Sequence, residues 1–267
     1  MLLIYLFVSM VIVGWQFWSF IIIYTGTQQN LIPVRLEAYM QNLPVFLLPG
    51  MLVTMISGII LISGGPKSKN VNSVYLKYNF ILLAIYFATI LIDYLLFRTD
   101  HHHNIFELII AVIAMGIIYI AGMMHLKSDQ VIYLHPTLMG SQFVHTVLAG
   151  LAAFILFSSL AEYASFRTGW MLLLIFLDMF IVFGHFRFLS AAGDETRMIA
   201  RQLLSRYIFI FGARLIVGIF IPLVLVIYTY FSEKTDLRNA AALILIGIFL
   251  QRAIFIIIIG HKGHREF

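Results

Sequence analysis

The sequence has no cysteine and few charged residues. Its 267 residues include 17 basic and 12 acidic side chains, so 11% are charged, whereas a soluble domain averages about 25%. The missing cysteine excludes disulfides and an iron–sulfur cluster ligated within the chain. The net charge of +5 is small and spread over connections, which indicates membrane topology and no nucleic-acid binding. No linker divides the chain, so we expect one integral membrane domain over residues 1–267.

Apolar segments are what the sequence has in abundance, since 62% of its residues are hydrophobic. About 20 apolar residues, rising 1.5 Å each, cross the ~30 Å hydrocarbon core of a bilayer. Met1 leads directly into such a segment without a basic region or a cleavage site, which indicates a membrane helix and no signal peptide. The sequence predicts an all-α polytopic membrane protein whose eight transmembrane helices could form two four-helix bundles. The predicted spans are roughly 2–24, 44–63, 74–97, 105–125, 137–160, 169–190, 207–230 and 239–260.

The distribution of lysine and arginine predicts how the chain is oriented. Connections on one side of the predicted spans carry ten of these residues and connections on the other side carry five. Because the cytoplasmic side of a membrane protein is enriched in basic residues, both termini are predicted to be cytoplasmic. The protein is thus predicted to be a multi-pass protein of the cell (inner, cytoplasmic) membrane.

Two arginines lie well inside the last two predicted spans, Arg214 in the seventh and Arg252 in the eighth. A guanidinium stays protonated in proteins, and placing it near the middle of a membrane costs about 2.5–3.5 kcal/mol. Both side chains therefore need partners, which could be a carboxylate, backbone carbonyls, water or a polar ligand.

Three further ionisable residues fall in the neighbouring spans. His145 shares a helical stripe with Gln142, while Asp178 and His185 lie seven residues apart, on one face of the sixth span. In the predicted orientation these residues and the two arginines all lie in the cytoplasmic half of four consecutive helices. A shared polar pocket is one interpretation. The alternative is a structural ion pair between Asp178 and one arginine, with His145 as a helix–helix hydrogen-bonding residue.

An amphipathic quinone would suit such a pocket, because its ring carbonyls accept hydrogen bonds. His145 and His185 would then be hydrogen-bond donors or proton relays, and Asp178 a proton acceptor. Arg214 and Arg252 would stabilise a semiquinone or quinolate. A b-type haem with His145 and His185 as axial ligands is the second hypothesis.

A non-redox scaffolding or metal-handling subunit is the third hypothesis. No metal site is predicted, because the adjacent histidines His101–His103 cannot all face one ion on regular backbone and are interpreted as a solvated loop.

The last two spans resemble a known family. The stretches FGARLIVGIFIP at 211–222 and IGIFLQRAIF at 246–255 are similar to the NrfD/polysulfide-reductase-like and dimethyl-sulfoxide-reductase-anchor families. That resemblance implies a quinone-interacting membrane subunit of a respiratory oxidoreductase complex. It also implies an iron–sulfur subunit and a molybdopterin-type catalytic subunit as partners, and quinone or menaquinone with no redox cofactor of its own. The first span departs from the pattern, since it offers Trp15 and Gln16 but no histidine. The second and third spans look somewhat like copper-resistance-type membrane proteins.

Overall fold

A computed structural model describes residues 1–27, 32–63, 73–98, 104–126, 137–158, 167–191, 193–232 and 237–262. These residues form α-helices and π-helical turns, with no strand among them. The α-helices are α1 (Leu2–Thr27), α2 (Ile32–Asn42), α3 (Leu48–Ser63), α4 (Ser73–Arg98), α5 (Asn104–Leu126), α6 (Thr137–Phe157), α7 (Arg167–Ala191), α8 (Asp194–Ser205), α9 (Ile208–Leu215), α10 (Ile221–Phe231) and α11 (Arg238–Lys262).

Seven helical segments in the described part of the chain are long and apolar enough to cross a membrane. They are Leu2–Ile22, Glu37–Ser63, Ser73–Arg98, Phe106–Met124, Gly140–Phe157, Arg167–Ala191 and Ile208–Phe231. The predicted all-α class is confirmed at this level. Helix α11 has 25 residues, and its role as an eighth span stays a prediction.

Two of the predicted spans are not continuous α-helices. Residues 43–47 and 216–220 are π-helical turns, and each turn ends two residues before a proline, Pro49 and Pro222. A proline lacks the N–H that an α-helix needs, and its ring clashes with the carbonyl four residues earlier. Each π-helical turn lies where that clash would fall, joining α2 to α3 and α9 to α10.

The long helices pack as two rings of four. In the first half of the chain, α1 packs on α3, α3 on α4, α4 on α5 and α5 on α1. In the second half, α6 packs on α7, α7 on α10, α10 on α11 and α11 on α6. We call these the first and second bundles; α9 belongs to the second, because it continues into α10 through the π-helical turn.

The two bundles meet mainly through α1 and α6, the first helix of each. Gly14 and Gly150 lie at this crossing, and a Cβ atom added to Gly14 would stand 2.9 Å from the Cα of Gly150. Trp18 Nε1 also donates a 2.8 Å hydrogen bond to the backbone oxygen of Val147. Small residues at a crossing let two helix backbones approach closely, and here they approach closely enough to exclude a side chain.

Helix α8 is a twelve-residue element that the apolar pattern did not predict. It connects α7 to α9 and packs its buried residues, among them Ala200 and Leu203, against Leu189 of α7 and Ile254 of α11. A search for long apolar runs misses such a helix, because only one of its faces is buried.

Candidate functional site

Side chains from α6, α7, α9 and α11 of the second bundle converge at one place. Asp178 of α7 lies between Arg214 of α9 and His145 of α6. Arg214 Nη2 donates to Asp178 Oδ2, and His145 Nε2 lies 2.8 Å from Asp178 Oδ1. Because a carboxylate only accepts hydrogen bonds, the Nε2 atom of His145 carries a proton and donates it. Asp178 is fully buried and holds both partners on its two oxygens.

Arg252 of α11 completes this arrangement from the other side of His145. Its Nη2 atom donates a 2.7 Å hydrogen bond to Gln142 Oε1 and lies 3.4 Å from His145 Nδ1. Since Arg252 is a donor only, the Nδ1 atom of His145 faces it as an acceptor. We call Gln142, His145, Asp178, Arg214 and Arg252 the guanidinium cluster.

The sequence makes room for the cluster with two glycines. Gly218 and Gly247 face each other where α11 crosses the π-helical turn, and a Cβ atom on Gly218 would stand 2.6 Å from the Cα of Gly247. A Cβ atom on Gly247 would also stand 3.1 Å from Arg214 Nη1. Arg214 therefore lies against a surface of backbone where any side chain would displace its guanidinium.

The cluster has more hydrogen-bond donors than its protein partners satisfy. Four buried nitrogen atoms have no acceptor among the described residues: Arg214 Nε, Arg214 Nη1, Arg252 Nε and Gln142 Nε2. Each residue is at least nine-tenths buried; Arg214 is 0% and Arg252 4% exposed. With two arginines, one carboxylate and a neutral imidazole, the cluster carries one net positive charge. An unmet buried donor costs about 1–3 kcal/mol, and more when charged, so an acceptor bound at these four atoms would stabilise the cluster.

The predicted site residues are only partly brought together. Arg214, Asp178, His145 and Arg252 are linked in that order by polar contacts. The ion pair between Asp178 and Arg214, which the sequence left as an alternative, is present. His185 is half-buried and lies two helical turns beyond Asp178, about 10 Å along α7.

Gln142 is the residue that the sequence did not assign to the site. It orients Arg252 through its amide oxygen, which leaves its amide nitrogen as a free donor. The available signal was its position three residues before His145, on the same buried stripe.

Two other buried acids, Asp93 of α4 and Glu107 of α5, belong to the first bundle. Tyr39 donates its hydroxyl to Asp93 Oδ2 at 3.4 Å. Within the described residues, no group of three or more histidine, cysteine or acidic side chains is placed to hold a metal ion. His101–His103, which were predicted to form a solvated loop, lie outside those residues.

No protein family, curated protein or solved structure matches this chain. The resemblance to the NrfD-like and dimethyl-sulfoxide-reductase-anchor families therefore stays a prediction from the sequence, and the geometry of the guanidinium cluster is the main basis for a functional proposal.

Proposed function

We propose that this chain is the membrane subunit of a respiratory oxidoreductase complex and that it exchanges electrons and protons with quinone at the guanidinium cluster. One observation carries the proposal: four buried donor nitrogen atoms of Gln142, Arg214 and Arg252 have no acceptor among the described residues, beside one net positive charge. The two carbonyl oxygens of a quinone are acceptors without donors, so they match what the cluster lacks. Quinone supplies two-electron, two-proton chemistry when bound.

The membrane placement rests on the seven long apolar helices. With α11 as an eighth span, both termini would lie on the same side, and the excess of basic residues in the connections on that side makes it the cytoplasmic side of the cell membrane. The guanidinium cluster then lies in the cytoplasmic half of the second bundle. Ionisable side chains inside a membrane raise the free energy of the folded protein, and this energetic cost favours a functional role for the cluster.

The residues of the cluster would divide the work. Arg214 and Arg252 hold their N–H groups toward the acceptor oxygens and stabilise the negative charge that develops there on reduction. Asp178 fixes both Arg214 and the Nε2 side of His145, so it positions the donors and can take up a proton. His145 connects Asp178 to Arg252 through its two ring nitrogens. This position suits a proton relay better than direct hydrogen-bond donation to the quinone.

The haem hypothesis fits this geometry less well. An axial ligand must present a free ring nitrogen to the iron, whereas both ring nitrogens of His145 face protein groups, at 2.8 Å and 3.4 Å. His185, the second proposed axial ligand, also lies two helical turns beyond Asp178 along α7 and therefore away from His145. The geometry therefore favours quinone.

The partners follow from the absence of cysteine and from the family resemblance. A chain without cysteine cannot hold an iron–sulfur cluster of its own, so electrons to or from quinone need a second redox protein. The resemblance names an iron–sulfur subunit and, beyond it, a molybdopterin-type catalytic subunit. This subunit would then carry out the quinone step of the reaction, and the partner subunits the remaining electron transfer and catalysis.

Binding of a menaquinone analogue to the purified full-length chain tests the proposal. Arg252→Gln removes the guanidinium that lies beside both Gln142 and His145, and we expect binding about 10- to 100-fold weaker, because hydrogen bonds to charged groups contribute about 1.5–3 kcal/mol. Arg98→Gln, at the exposed last residue of α4, is the matched control and should bind as the unchanged protein does.

Thermal unfolding of both variants in detergent separates lost binding from lost folding. If Arg252→Gln remains folded and binds the analogue as well as the unchanged protein, the cluster is not the quinone site. A purified protein with a haem absorption band that disappears in His145→Ala would instead support the cytochrome. No binding at all by the unchanged protein would support a scaffolding subunit.

A further inference from the structure

Helix α8 presents a mixed basic and apolar face that the quinone site does not use. Its buried side, which includes Thr196, Ala200 and Leu203, packs on the second bundle. Its opposite side exposes Arg201 between Met198 and Leu204, which are 50% and 49% exposed. A helix whose outer face combines arginine with exposed apolar side chains is typical of the boundary between lipid headgroups and acyl chains.

The connections of α8 fix where this face can lie. Helix α7 ends at Ala191 and α8 begins at Asp194, while α8 ends at Ser205 and α9 begins at Ile208. Two candidate membrane spans therefore flank α8 directly. Its twelve residues are about 18 Å long, too short to cross a bilayer. If α7 and α9 cross the membrane, α8 has to lie along its surface.

The arginines of α8, and Arg206 directly after it, differ in how many hydrogen bonds and ion pairs they form within the protein. Arg197 donates to the backbone oxygen of Ser190 at 3.2 Å and to Asp194 at 3.4 Å. Arg206 lies 5.8 Å from the centre of the Tyr207 ring, and its side chain is exposed. Arg201 is also exposed, and its guanidinium has no hydrogen bond or ion pair to a described residue. Arg201 and Arg206 are therefore the two that an anionic group from outside the protein could pair with.

We propose that α8 lies in the cytoplasmic membrane interface and binds anionic phospholipid headgroups through Arg201 and Arg206, with Met198 and Leu204 inserted at the level of the upper acyl chains. The negative surface of the cytoplasmic leaflet supplies the complementary charge. The proposal rests on the membrane placement given above, but not on quinone as the ligand of the guanidinium cluster.

Lipid selectivity tests the electrostatic part. The full-length chain is reconstituted in phosphatidylcholine vesicles, and the association of spin-labelled phosphatidylglycerol is compared with that of spin-labelled phosphatidylcholine. We expect a preference for phosphatidylglycerol that falls about fivefold for each arginine removed in Arg201→Gln and Arg206→Gln, corresponding to about 1 kcal/mol per residue near the surface. High salt should reduce the preference as well, because it screens exposed charges. The control Arg98→Gln should leave the preference unchanged.

Depth measurements test the apolar part, and the absence of cysteine makes a single label site-specific. A fluorophore on Met198→Cys should be quenched most by lipids that carry a nitroxide at the headgroup or near the top of the acyl chain. Phe180 of α7 is 68% exposed. A fluorophore on Phe180→Cys should be quenched most by lipids that carry a nitroxide near the middle of the acyl chain.

The two labels separate the two proposals. Quenching at Phe180 without quenching at Met198 overturns the placement of α8 and leaves the membrane span intact. Absence of quenching at Phe180 overturns the membrane placement itself. A phosphatidylglycerol preference that persists in the double variant Arg201→Gln/Arg206→Gln overturns the headgroup site. An acidic protein would then be the alternative partner of this face.

Discussion

Each bundle contains a buried polar network, and the two networks differ in charge and in how many of their donors have an acceptor. In the first bundle, Tyr5 donates its hydroxyl to Asn79 Oδ1 at 2.8 Å, and Asn79 Nδ2 donates to the backbone oxygen of Ile117 at 3.1 Å. This network links α1, α4 and α5, and it is neutral and complete. In the second bundle, the guanidinium cluster is charged, and four of its donor atoms remain unmet by the described protein. A satisfied network stabilises a helix contact, whereas buried donors without an acceptor offer a place where a group from outside the chain would gain hydrogen bonds.

The largest expected effect comes from removing one charge of the buried pair. Asp178→Leu leaves Arg214 buried without its carboxylate, and losing one partner of a buried ion pair typically costs about 3–5 kcal/mol. We expect a correspondingly lower midpoint of thermal unfolding and loss of quinone binding. The double variant Asp178→Leu/Arg214→Leu should regain most of the stability, because apolar replacement of both partners is often neutral or stabilising.

The double variant also distinguishes a structural lock from a binding site. If the pair exists for binding, Asp178→Leu/Arg214→Leu should be folded and still unable to bind the menaquinone analogue. A double variant that is as unstable as Asp178→Leu and yet binds quinone would contradict our interpretation of the second bundle.

The next largest effect compares the two glycine crossings. Gly14→Ala and Gly218→Ala each place a Cβ atom within 2.9 Å of the backbone of the crossing helix, and overpacking of this kind typically costs about 1–3 kcal/mol. Only Gly218→Ala should also weaken quinone binding, since it displaces Arg214. Unfolding and binding measured on both variants show whether the two losses separate. Equal loss of binding in Gly14→Ala would contradict the assignment of the site to the second bundle.

A smaller effect is expected in the neutral network. Tyr5→Phe removes the hydroxyl that donates to Asn79, and one hydrogen bond contributes about 0.5–1.5 kcal/mol. The midpoint of thermal unfolding should fall modestly, while the affinity for the menaquinone analogue should not change. A binding defect in Tyr5→Phe would show that the two bundles are coupled more closely than their separate networks suggest.

The smallest effect on stability is expected at His185. It is half-buried, so His185→Gln should change the free energy of unfolding by about 0.5 kcal/mol or less. If His185 relays protons between the cluster and the cytoplasmic surface, the same variant should alter the pH profile of quinol oxidation by the complex purified through a tag on this chain. Phe180→Leu, on the exposed face of the same helix, is the control and should leave that profile unchanged.

Periodicity in the sequence was enough to predict much of the second bundle. Gln142 and His145 were predicted to share one stripe of α6, and both are buried. Arg214 and Arg252 were predicted to lie well inside the last two spans, and both are buried. Spacing alone could not reveal which atoms of Arg214 and Arg252 would be left without an acceptor, because that depends on how α6, α7 and α11 are rotated against each other.

Other features depend on properties that hydropathy does not record. Helix α8 has too many polar residues to register as an apolar run, although one of its faces is buried. The π-helical turns depend on where each proline ring meets the preceding turn. The position of His185 away from the cluster reflects a rise of about 10 Å over seven residues, which places two residues on one face at different depths.

The contact between Gly14 and Gly150 has a consequence for the order in which the two bundles can form. Helix α1 is synthesised before α2 to α5, and its main partner α6 is synthesised after them. The surface of α1 around Gly14 therefore has no α6 to contact until all helices of the first bundle have been made. Because a Cβ atom on either glycine would collide with the other helix, any side chain that packed over Gly14 in that interval would have to leave before α6 could bind.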